Sequence, residues 1–236
     1  MRLDIHNSEV PLLCRSCEAR HRGVYGALDA SQLVRLSRHT LRREVPPGTV
    51  LVAAGEPAER CANVLSGVVK LIRTLPDGRQ QIVGLQFAPD FIGRPFAASS
   101  EVSAEAAGPV HLCSFPRAAR EAMMREAPDL QHRLHAQALR ELDEAREWMM
   151  TLGRKTAVER VASFLLVARH VDPEGLGVAA RFEPPLSRSD IADFLGLTVE
   201  TVSRQITQLR KAGTIGVDLR QVVVLDPAAL EAAAGG

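Results

Sequence analysis

The chain contains 236 residues, enough for two domains of moderate size, and its formal net charge is only +1. With 46% hydrophobic and 24% charged residues, it has the composition of an ordinary globular protein. It lacks an apolar stretch of about 18 residues and the apolar core of a secretory signal, so we expect a cytoplasmic protein without a membrane partner. The small net charge does not by itself predict a polyanionic partner, and 4% aromatic residues argue against a stacking platform for single-stranded nucleic acid.

The N-terminal half reads as a short arm followed by a β-rich domain. Residues 1–28 form an arm without clear hydrophobic periodicity, and a short helix is expected between Asp29 and Leu41. The domain, residues 29–129, then alternates short apolar runs with turn residues roughly every 8–12 positions, which is typical of a small antiparallel roll. Its predicted strands are 49–53, 68–74, 81–87 and 110–115.

A long helix is predicted for residues 130–153, because residues 130–152 contain neither Gly nor Pro. Small and apolar side chains recur along it at heptad-like spacings: Ala138, Leu142, Ala145, Met149 and Leu152. Charged residues flank this narrow stripe, which is typical of a seam between two parallel helices. The stripe is also compatible with a helix that packs on its own roll, so the sequence leaves both arrangements open.

The C-terminal domain, residues 154–236, begins with a predicted helix from Thr156, whose Thr-x-x-Glu pattern has the form of a capping box, to about Arg169. A loop is expected at residues 172–175. Two further helices then follow in close succession, separated by Gly196, which can adopt the left-handed conformation of a tight turn. The segment 222–225 is a candidate wing strand, and we treat the Ala- and Gly-rich residues 232–236 as a tail.

The two closely spaced helices have the pattern of a helix-turn-helix. Residues expected to be buried in the first helix are Ile191, Ala192 and Leu195, and in the second Val202, Ile206 and Leu209. Ser187 and Thr198 are suitable N-cap residues for the first and second helix, respectively. In such motifs the N-terminal part of the second helix enters the major groove of DNA.

The buried stripe of the second helix leaves Glu200, Ser203 and Arg204 on its outer face. A guanidinium can donate two hydrogen bonds to guanine, a carboxylate can accept one from cytosine, and a short hydroxyl suits a thymine edge. We therefore predict base contacts for these three residues. The predicted DNA-binding set is completed by Thr198, Thr201 and Arg188.

The segment Gly196–Arg204, reading GLTVETVSR, ends in an E-x-x-S-R motif and resembles the recognition helix of the Crp/Fnr superfamily. The serine at 203 is typical of the Fnr and FixK type, since the Crp type has glycine there. Leu65–Lys70 and Asp90–Gly93 resemble the roll of that family, and Arg146–Ala157 resembles the end of the dimer helix in the alphaproteobacterial FnrL branch. The resemblance spans nearly the whole chain.

This resemblance implies an α+β fold with an N-terminal antiparallel β-roll like that of cyclic-nucleotide-binding domains, a long dimerisation helix and a C-terminal winged helix-turn-helix. It also implies a homodimeric transcription regulator that binds double-stranded DNA at palindromes with TTGAT-like half-sites. The loop at Pro76–Gly78 is implied to contact RNA polymerase.

Two functions of other classes are weaker alternatives. An enzyme is not expected, because no nucleophile with its base and no paired carboxylates stand out in the sequence. A ligand-binding module whose helical tail mediates only protein contacts would not bind a palindrome specifically.

The roll is not expected to bind cyclic AMP. In the Crp type, a Gly-Glu pair holds the ribose and an Arg followed by Ser or Thr holds the cyclic phosphate. Here Arg94 follows Gly93, and the segment 101–104 contains no arginine. A phosphate would instead meet the carboxylate of Glu101, which is unfavourable.

The cysteines suggest a second cofactor. Cys14 and Cys17 lie in the arm, and Cys113 lies in the last predicted strand of the roll. Oxygen-sensing members of the Fnr type use N-terminal cysteines and one at the position of Cys113 to hold a 4Fe-4S iron–sulfur cluster. The resemblance therefore implies three cluster ligands in this chain.

A fourth family cysteine is missing, because Gly23, Tyr25 and Leu28 stand where relatives carry one. Cys61 is a weak candidate for the fourth ligand, and Asp29 or another non-cysteine group is an alternative.

Three interpretations stay open: an oxygen-labile cluster that ties the arm to the roll and favours the dimer, another thiol-based redox response, or a ligand-free FixK-like regulator. The last would be controlled by its abundance or by thiol oxidation, with Cys61 and Cys113 as small buried hydrophobic residues.

Overall fold

A computed structural model of the chain describes residues 10, 14, 17–57, 59–93, 97, 99–171 and 181–235. The predicted loop at residues 172–175 and the predicted role of Arg94 lie outside these ranges. Two compact units are present, one formed by Met1–Arg79 with Val83–Asp143 and the other by Gln80–Ile82 with Glu144–Gly236. Within the described ranges, none of the helices combines the length and apolarity needed to cross a membrane.

The β-roll consists of two antiparallel sheets preceded by short helical segments. These segments are α1 (Glu18–Arg22), a 3-10 turn (Val24–Ala27) and α2 (Ala30–Ser37). The strands are β1 (Leu41–Val45), β2 (Val50–Val52), β3 (Arg60–Ser66), β4 (Val69–Thr74), β5 (Gln80–Gln86), β6 (Phe91–Ile92), β7 (Ser103–Ala106) and β8 (Val110–Pro116). One sheet has the order β1-β8-β3-β6 and the other β2-β7-β4-β5.

The four predicted strands correspond to β2, β4, β5 and β8, and the predicted α+β fold is confirmed. Strands β1, β3, β6 and β7 were missed for physical reasons. Most of β1 is exposed, β6 has only two residues, and β3 places the polar Asn63 in its buried run. These three strands therefore lack the alternating apolar pattern that marks a half-buried strand. Strand β7 does alternate, but its two buried residues are alanines, which have a low strand propensity.

Helix α2 begins where expected because Asp29 forms a capping box with Gln32: the Asp29 carboxylate accepts from the Gln32 backbone at 2.8 Å, and the Gln32 side chain accepts from the Asp29 backbone at 2.9 Å. The helix ends at Ser37, earlier than predicted, because Leu41 already pairs with Ser114 in β1.

Residues 17–28 of the arm have regular structure and buried side chains that the sequence did not suggest. Val24, Tyr25 and Leu28 are at most 4% exposed and belong to a core cluster with Leu33, Phe115 and other apolar residues. The signal was missed because these side chains pack through a 3-10 turn, which has no long apolar period. A second core cluster, which includes Val64, Val69, Val110 and Leu112, fills the space between the two sheets.

Two helices follow the roll: α3 (Arg117–Glu126) and α4 (Pro128–Arg154). Leu130, Leu134 and Gln137 of α4 are buried, whereas the side chains from Ala138 to Glu147 are exposed. Gly153 was expected to end or hinge this helix, but it lies within the last turn, and the helix continues to Arg154.

The C-terminal unit contains helices α5 (Ala157–Val171), α6 (Arg188–Leu195), α7 (Val199–Lys211) and α8 (Pro227–Ala233) and strands β9 (Arg181–Phe182), β10 (Ile215–Asp218) and β11 (Gln221–Val224). The strands form one sheet in the order β10-β11-β9, which is the wing, and β11 corresponds to the predicted wing strand. As the predicted capping interaction requires, Glu159 accepts hydrogen bonds from the backbone and the hydroxyl of Thr156 at 2.6 and 2.7 Å.

Helix α8 was not predicted, and it includes the first two residues of the segment 232–236 that the sequence marks as a tail. The Asp226 side chain accepts from the backbone of Ala229 at 2.9 Å and so caps this helix, and Leu230 is fully buried. Alanine has the highest helix propensity, and a single buried leucine anchors the short helix, which leaves little apolar periodicity to detect.

Candidate nucleic-acid interface

The turn between α6 and α7 is built by capping groups and one left-handed glycine. Ser187 caps α6 by accepting from the Asp190 backbone at 3.1 Å, and Asp190 accepts in return from Ser187. Gly196 ends the helix at φ 62° and ψ 41°. A Cβ there would meet nothing nearer than 3.9 Å, so glycine is required by the backbone conformation and not by lack of space.

A residue that the sequence did not reveal supports this turn. Arg160 of α5 donates to the carbonyl of Leu195 at 3.1 Å through Nη1 and to the carbonyl of Lys155 at 3.0 Å through Nε. It therefore satisfies one of the last carbonyls of α6, which lack partners within their own helix. Such a contact between residues 35 positions apart leaves no local signal in the sequence.

An aromatic cluster also holds α6 in place. The ring of Phe194 lies edge-on to Trp148 at 4.4 Å between ring centroids and to Phe164 at 6.2 Å. Edge-to-face contacts of this kind add to the burial of apolar area. The single tryptophan of the chain was the only sequence signal for this cluster.

Helix α7 starts at the predicted cap. The Thr198 hydroxyl accepts from the Thr201 backbone at 3.2 Å and lies 3.2 Å from the Thr201 hydroxyl. Val202, Ile206 and Leu209 are at most 5% exposed and form the inner face of the helix. The outer face therefore turns away from the core of this unit.

Glu200, Ser203 and Arg204 are all exposed on that outer face. Hydrogen bonds from its own backbone N–H and from the Thr198 hydroxyl lower the pKa of Glu200. The carboxylate is thus ionised at neutral pH and able to accept hydrogen bonds. The structure brings an acceptor, a hydroxyl and a guanidinium together at the start of one helix.

The other predicted contact residues have different surroundings. Thr198 is exposed and Thr201 half-buried, and both hydroxyls take part in the cap. Arg188, the first residue of α6, is half-buried, and its Nη1 is buried without a hydrogen-bond partner. Burial lowers the pKa of this guanidinium.

Comparison with known proteins is consistent with this geometry. Residues 159–233 match the Crp-like helix-turn-helix domain, and residues 42–127 match the cyclic nucleotide-binding domain. A probable transcriptional activator of Rhizobium leguminosarum bv. viciae is 52% identical over 236 residues, which cover 97% of this chain and 98% of that protein. The transcriptional activator protein FnrL of Cereibacter sphaeroides is 39% identical and covers 96% of this chain and 95% of its own length.

This chain belongs to the Crp/Fnr family. It is a DNA-binding transcription regulator. The structure of FixK2 from Bradyrhizobium japonicum, 34% identical, superposes with a TM-score of 0.74, and the match covers 82% of this chain and 96% of that one.

The long helix of this Crp/Fnr regulator has an exposed apolar stripe. Among the predicted seam residues, Ala138, Leu142, Ala145 and Met149 are exposed and Leu152 is half-buried. Leu142 and Met149 are 45% and 72% exposed, and the neighbouring Leu139 and Met150, absent from the predicted seam, are 62% and 60% exposed. Exposed apolar side chains this closely spaced favour a partner helix over packing on the same chain's roll.

The predicted cysteine ligands meet at one cavity of about 80 Å³, which is large enough for several water molecules. Its lining includes Cys14 and Cys17 from the N-terminal segment and Cys113 from β8, together with Tyr25, Arg42 and Asn63. Cys61 is not among the lining residues. It is 2% exposed in the core, paired with Phe115 across the sheet and close to Arg120.

Two of the thiols at the cavity, those of Cys113 and Cys14, have raised pKa values, which favours their protonated form. Burial, followed by the neighbouring Cys17, raises the pKa of Cys113 to about 11, although Arg42 counteracts this as a nearby positive charge and hydrogen-bond donor. Burial and Cys17 likewise raise the pKa of Cys14. Metal binding at this cavity would therefore have to displace protons from the thiols.

In the described part of the chain, no three or more His, Cys, Asp or Glu side chains are arranged to hold a metal ion. The donor types nevertheless fit a thiolate-held group, since three thiols line one cavity and a fourth polar group, Asn63, is available there. Asn63 is 4% exposed, and its Oδ1 has no hydrogen-bond partner.

A separate cavity of about 200 Å³ lies between the roll and the first part of α4. It is lined by Gln86, Gly93, Ser100, Gln137, Glu141 and mainly apolar side chains. Among its described lining residues Glu141 is the only ionisable one, so these residues offer no positive charge for a cyclic phosphate.

Proposed function

We propose that this regulator binds palindromic DNA with TTGAT-like half-sites as a homodimer and reads base edges through Glu200, Ser203 and Arg204. The observation that carries the proposal is the exposure of these three side chains on the outer face of α7, opposite the buried Val202, Ile206 and Leu209. The left-handed turn at Gly196 sets this helix against α6, as a helix-turn-helix requires.

Each side chain has a distinct role in this proposal. The Arg204 guanidinium donates two hydrogen bonds to guanine O6 and N7, the ionised Glu200 accepts from cytosine N4, and the Ser203 hydroxyl contacts a thymine edge. Thr198 and Thr201 cap α7 and hold its N-terminus, where backbone N–H groups favour a phosphate. Arg188, half-buried at the start of α6, is assigned in this proposal to a second phosphate.

Specific binding is tested by measuring fluorescence anisotropy of labelled TTGAT palindrome and of scrambled DNA at the same salt concentration. Arg204→Ala is expected to weaken binding to the palindrome by about 1–3 kcal/mol, or roughly 5- to 150-fold, and to reduce the preference over scrambled DNA. Arg210→Ala, an exposed arginine at the other end of the same helix, is the control and should leave that preference intact. An unchanged preference in Arg204→Ala would contradict the assignment.

We further propose that the regulator responds to oxygen or redox state through an iron–sulfur cluster held by Cys14, Cys17 and Cys113. Such a cluster supplies iron–thiolate bonding that oxygen degrades. The proposal is supported by the three thiols around one cavity. A cluster bound by these three thiols would connect the N-terminal arm to β8. This connection would stabilise the roll, against which the first part of α4 packs. The resulting change in α4 would control dimerisation and DNA binding, and cyclic AMP has no part in it.

Iron and sulfide analysis of protein purified without oxygen tests this proposal, together with the absorbance at about 400 nm that is typical of iron–sulfur chromophores. Cys113→Ala is expected to lose the iron and the absorbance. Cys61→Ala is a matched control, because Cys61 lies outside the cavity. Retention of iron in Cys113→Ala would rule out this ligand.

A ligand-free, FixK-like regulator is the second candidate, and the missing fourth cysteine favours it. In that case the wild-type protein would contain no iron and would bind the palindrome equally well with and without air.

For transcription activation, we propose that the hairpin tip at Pro76–Gly78 contacts RNA polymerase in the cytoplasm, and that the chain acts by binding and not by catalysis. The tip is exposed, and a 2.8 Å ion pair between Asp77 and Arg79 supports its conformation.

A further inference from the structure

Asn63 is placed beside Cys113 by the register of the sheet. In the pairing of β3 with β8, Asn63 lies directly opposite Cys113, and in the pairing of β1 with β8, Arg42 lies opposite Cys113 on its other side. Directly opposed residues in antiparallel strands project to the same face with Cβ atoms about 5 Å apart. All three side chains line the cavity that Cys14 and Cys17 cover.

The carboxamide of Asn63 is unusual because it is buried with an unsatisfied acceptor. The residue is 4% exposed, and Oδ1 has no hydrogen-bond partner. Buried polar atoms are nearly always paired in folded proteins, so an orphan of this kind calls for an explanation such as a bound ion. A leucine branches at the same carbon without this cost, so core packing does not account for an asparagine here.

We infer that Asn63 Oδ1 is the fourth ligand at the cysteine cavity and completes, with Cys14, Cys17 and Cys113, the donor set for an iron–sulfur cluster. The inference rests on the cluster proposed above. A non-cysteine ligand has precedent in general, because histidines replace two cysteines in one class of iron–sulfur centre.

The other fourth-ligand candidates are less suitable. Cys61 does not line the cavity. The Asp29 carboxylate is engaged at the start of α2, where it accepts from Ser31 and from Gln32, both at 2.8 Å. Tyr25 lines the cavity, but its hydroxyl must lose a proton before the oxygen can bind iron strongly, whereas a carboxamide oxygen binds without deprotonation.

Charge is consistent with a neutral fourth donor. Three thiolates around one cavity would repel one another, although Arg20 and Arg42, which also line the cavity, offset part of this repulsion. A carboxamide adds an acceptor without adding a fourth negative charge.

The test compares full-length variants purified and reconstituted without oxygen with iron and sulfide: Asn63→Leu, Asn63→Cys and Tyr25→Phe. The measurements are the amounts of iron and sulfide per chain and the rate at which the absorbance at about 400 nm disappears in air. We expect Asn63→Leu to contain several-fold less iron than the wild type. Asn63→Cys should retain its iron and lose its absorbance in air more slowly than the wild type, because a thiolate binds iron more strongly than an amide oxygen. Tyr25→Phe should behave like the wild type.

A second readout does not depend on the metal. Removal of the unsatisfied acceptor should raise the melting temperature of the iron-free Asn63→Leu protein, and the same measurement shows that this variant folds.

The outcomes separate the two proposals. If the wild-type protein contains no iron, both the proposed cluster and the inference about Asn63 are overturned. If the wild type holds iron and Asn63→Leu holds the same amount, only the assignment of Asn63 is overturned. If Tyr25→Phe loses iron and Asn63→Leu does not, the fourth ligand is Tyr25.

Discussion

At the scale of single residues, the environment of each group decides what chemistry it offers. Glu200 and Arg204 are exposed near the start of the same helix, and Glu200 is kept ionised by hydrogen bonds. The thiol of Cys113 is in the opposite situation, because burial raises its pKa to about 11. The first two are ready to bind a polar partner, whereas Cys113 is a poor nucleophile until its proton is displaced.

This difference predicts slow alkylation of Cys113. With its pKa raised from 9.0 to about 11, its thiolate fraction at pH 8 is roughly 100-fold smaller than in the unfolded chain. In metal-free protein treated with iodoacetamide, we expect Cys113 to be labelled about 100-fold more slowly than in urea, as measured by mass spectrometry of peptides. The rate should rise as the pH increases towards 11. Equal labelling in both states would contradict the raised pKa and would favour a response by thiol oxidation alone.

At the scale of secondary-structure elements, the turn between α6 and α7 depends on one backbone conformation. Gly196 has a positive φ of 62°, and α7 begins two residues later at the Thr198 cap. Because the space around Gly196 is open, the cost of a side chain there comes only from the left-handed backbone. The orientation of the exposed outer face of α7 follows from this turn.

Gly196→Ala is therefore expected to lower the free energy of unfolding by about 1–2 kcal/mol in urea titrations followed by circular dichroism. Gly153→Ala provides the matched control, because Gly153 lies in the last turn of α4 with nothing within 4 Å of a new Cβ. That substitution should stabilise the protein by about 0.5–1 kcal/mol. Equal effects of the two substitutions would show that the conformation at 196 does not constrain the turn.

At the scale of the whole molecule, the proposed binding to a palindrome requires a second copy of the chain. A palindromic site has two half-sites, and the exposed stripe on α4 offers the apolar surface through which two chains can associate. Leu142 is central in that stripe. Burying a charge at this position without a partner is strongly unfavourable.

Leu142→Lys is expected to raise the dissociation constant of the homodimer at least about 10-fold in analytical ultracentrifugation, because a buried ammonium opposes association. DNA binding should weaken in parallel, since a monomer contacts one half-site. Leu219→Lys adds the same charge at the 94% exposed wing tip and should leave the dimer intact. A dimer of unchanged stability in Leu142→Lys would place the interface elsewhere.

The elements that sequence reasoning found are those with local signals. Helices α6 and α7 have capping residues, a turn glycine and a buried stripe within fewer than 30 consecutive residues. Strand β3 and helix α8 were missed because their apolar residues do not alternate or repeat. Arg160, which supports the turn from another helix, was missed because nothing near it in the sequence marks its partner.

The sequence by itself determined the family, the fold class and the outward face of α7, because each depends on patterns within short stretches of chain. Only the tertiary structure placed Cys14 and Cys17 at the same cavity as Cys113 and revealed Asn63 beside it. The physical reason is that strand register pairs residues 50 positions apart, as in Asn63 with Cys113. Which residues are paired in this way depends on the packing of both sheets, and no local sequence pattern at either residue indicates its partner.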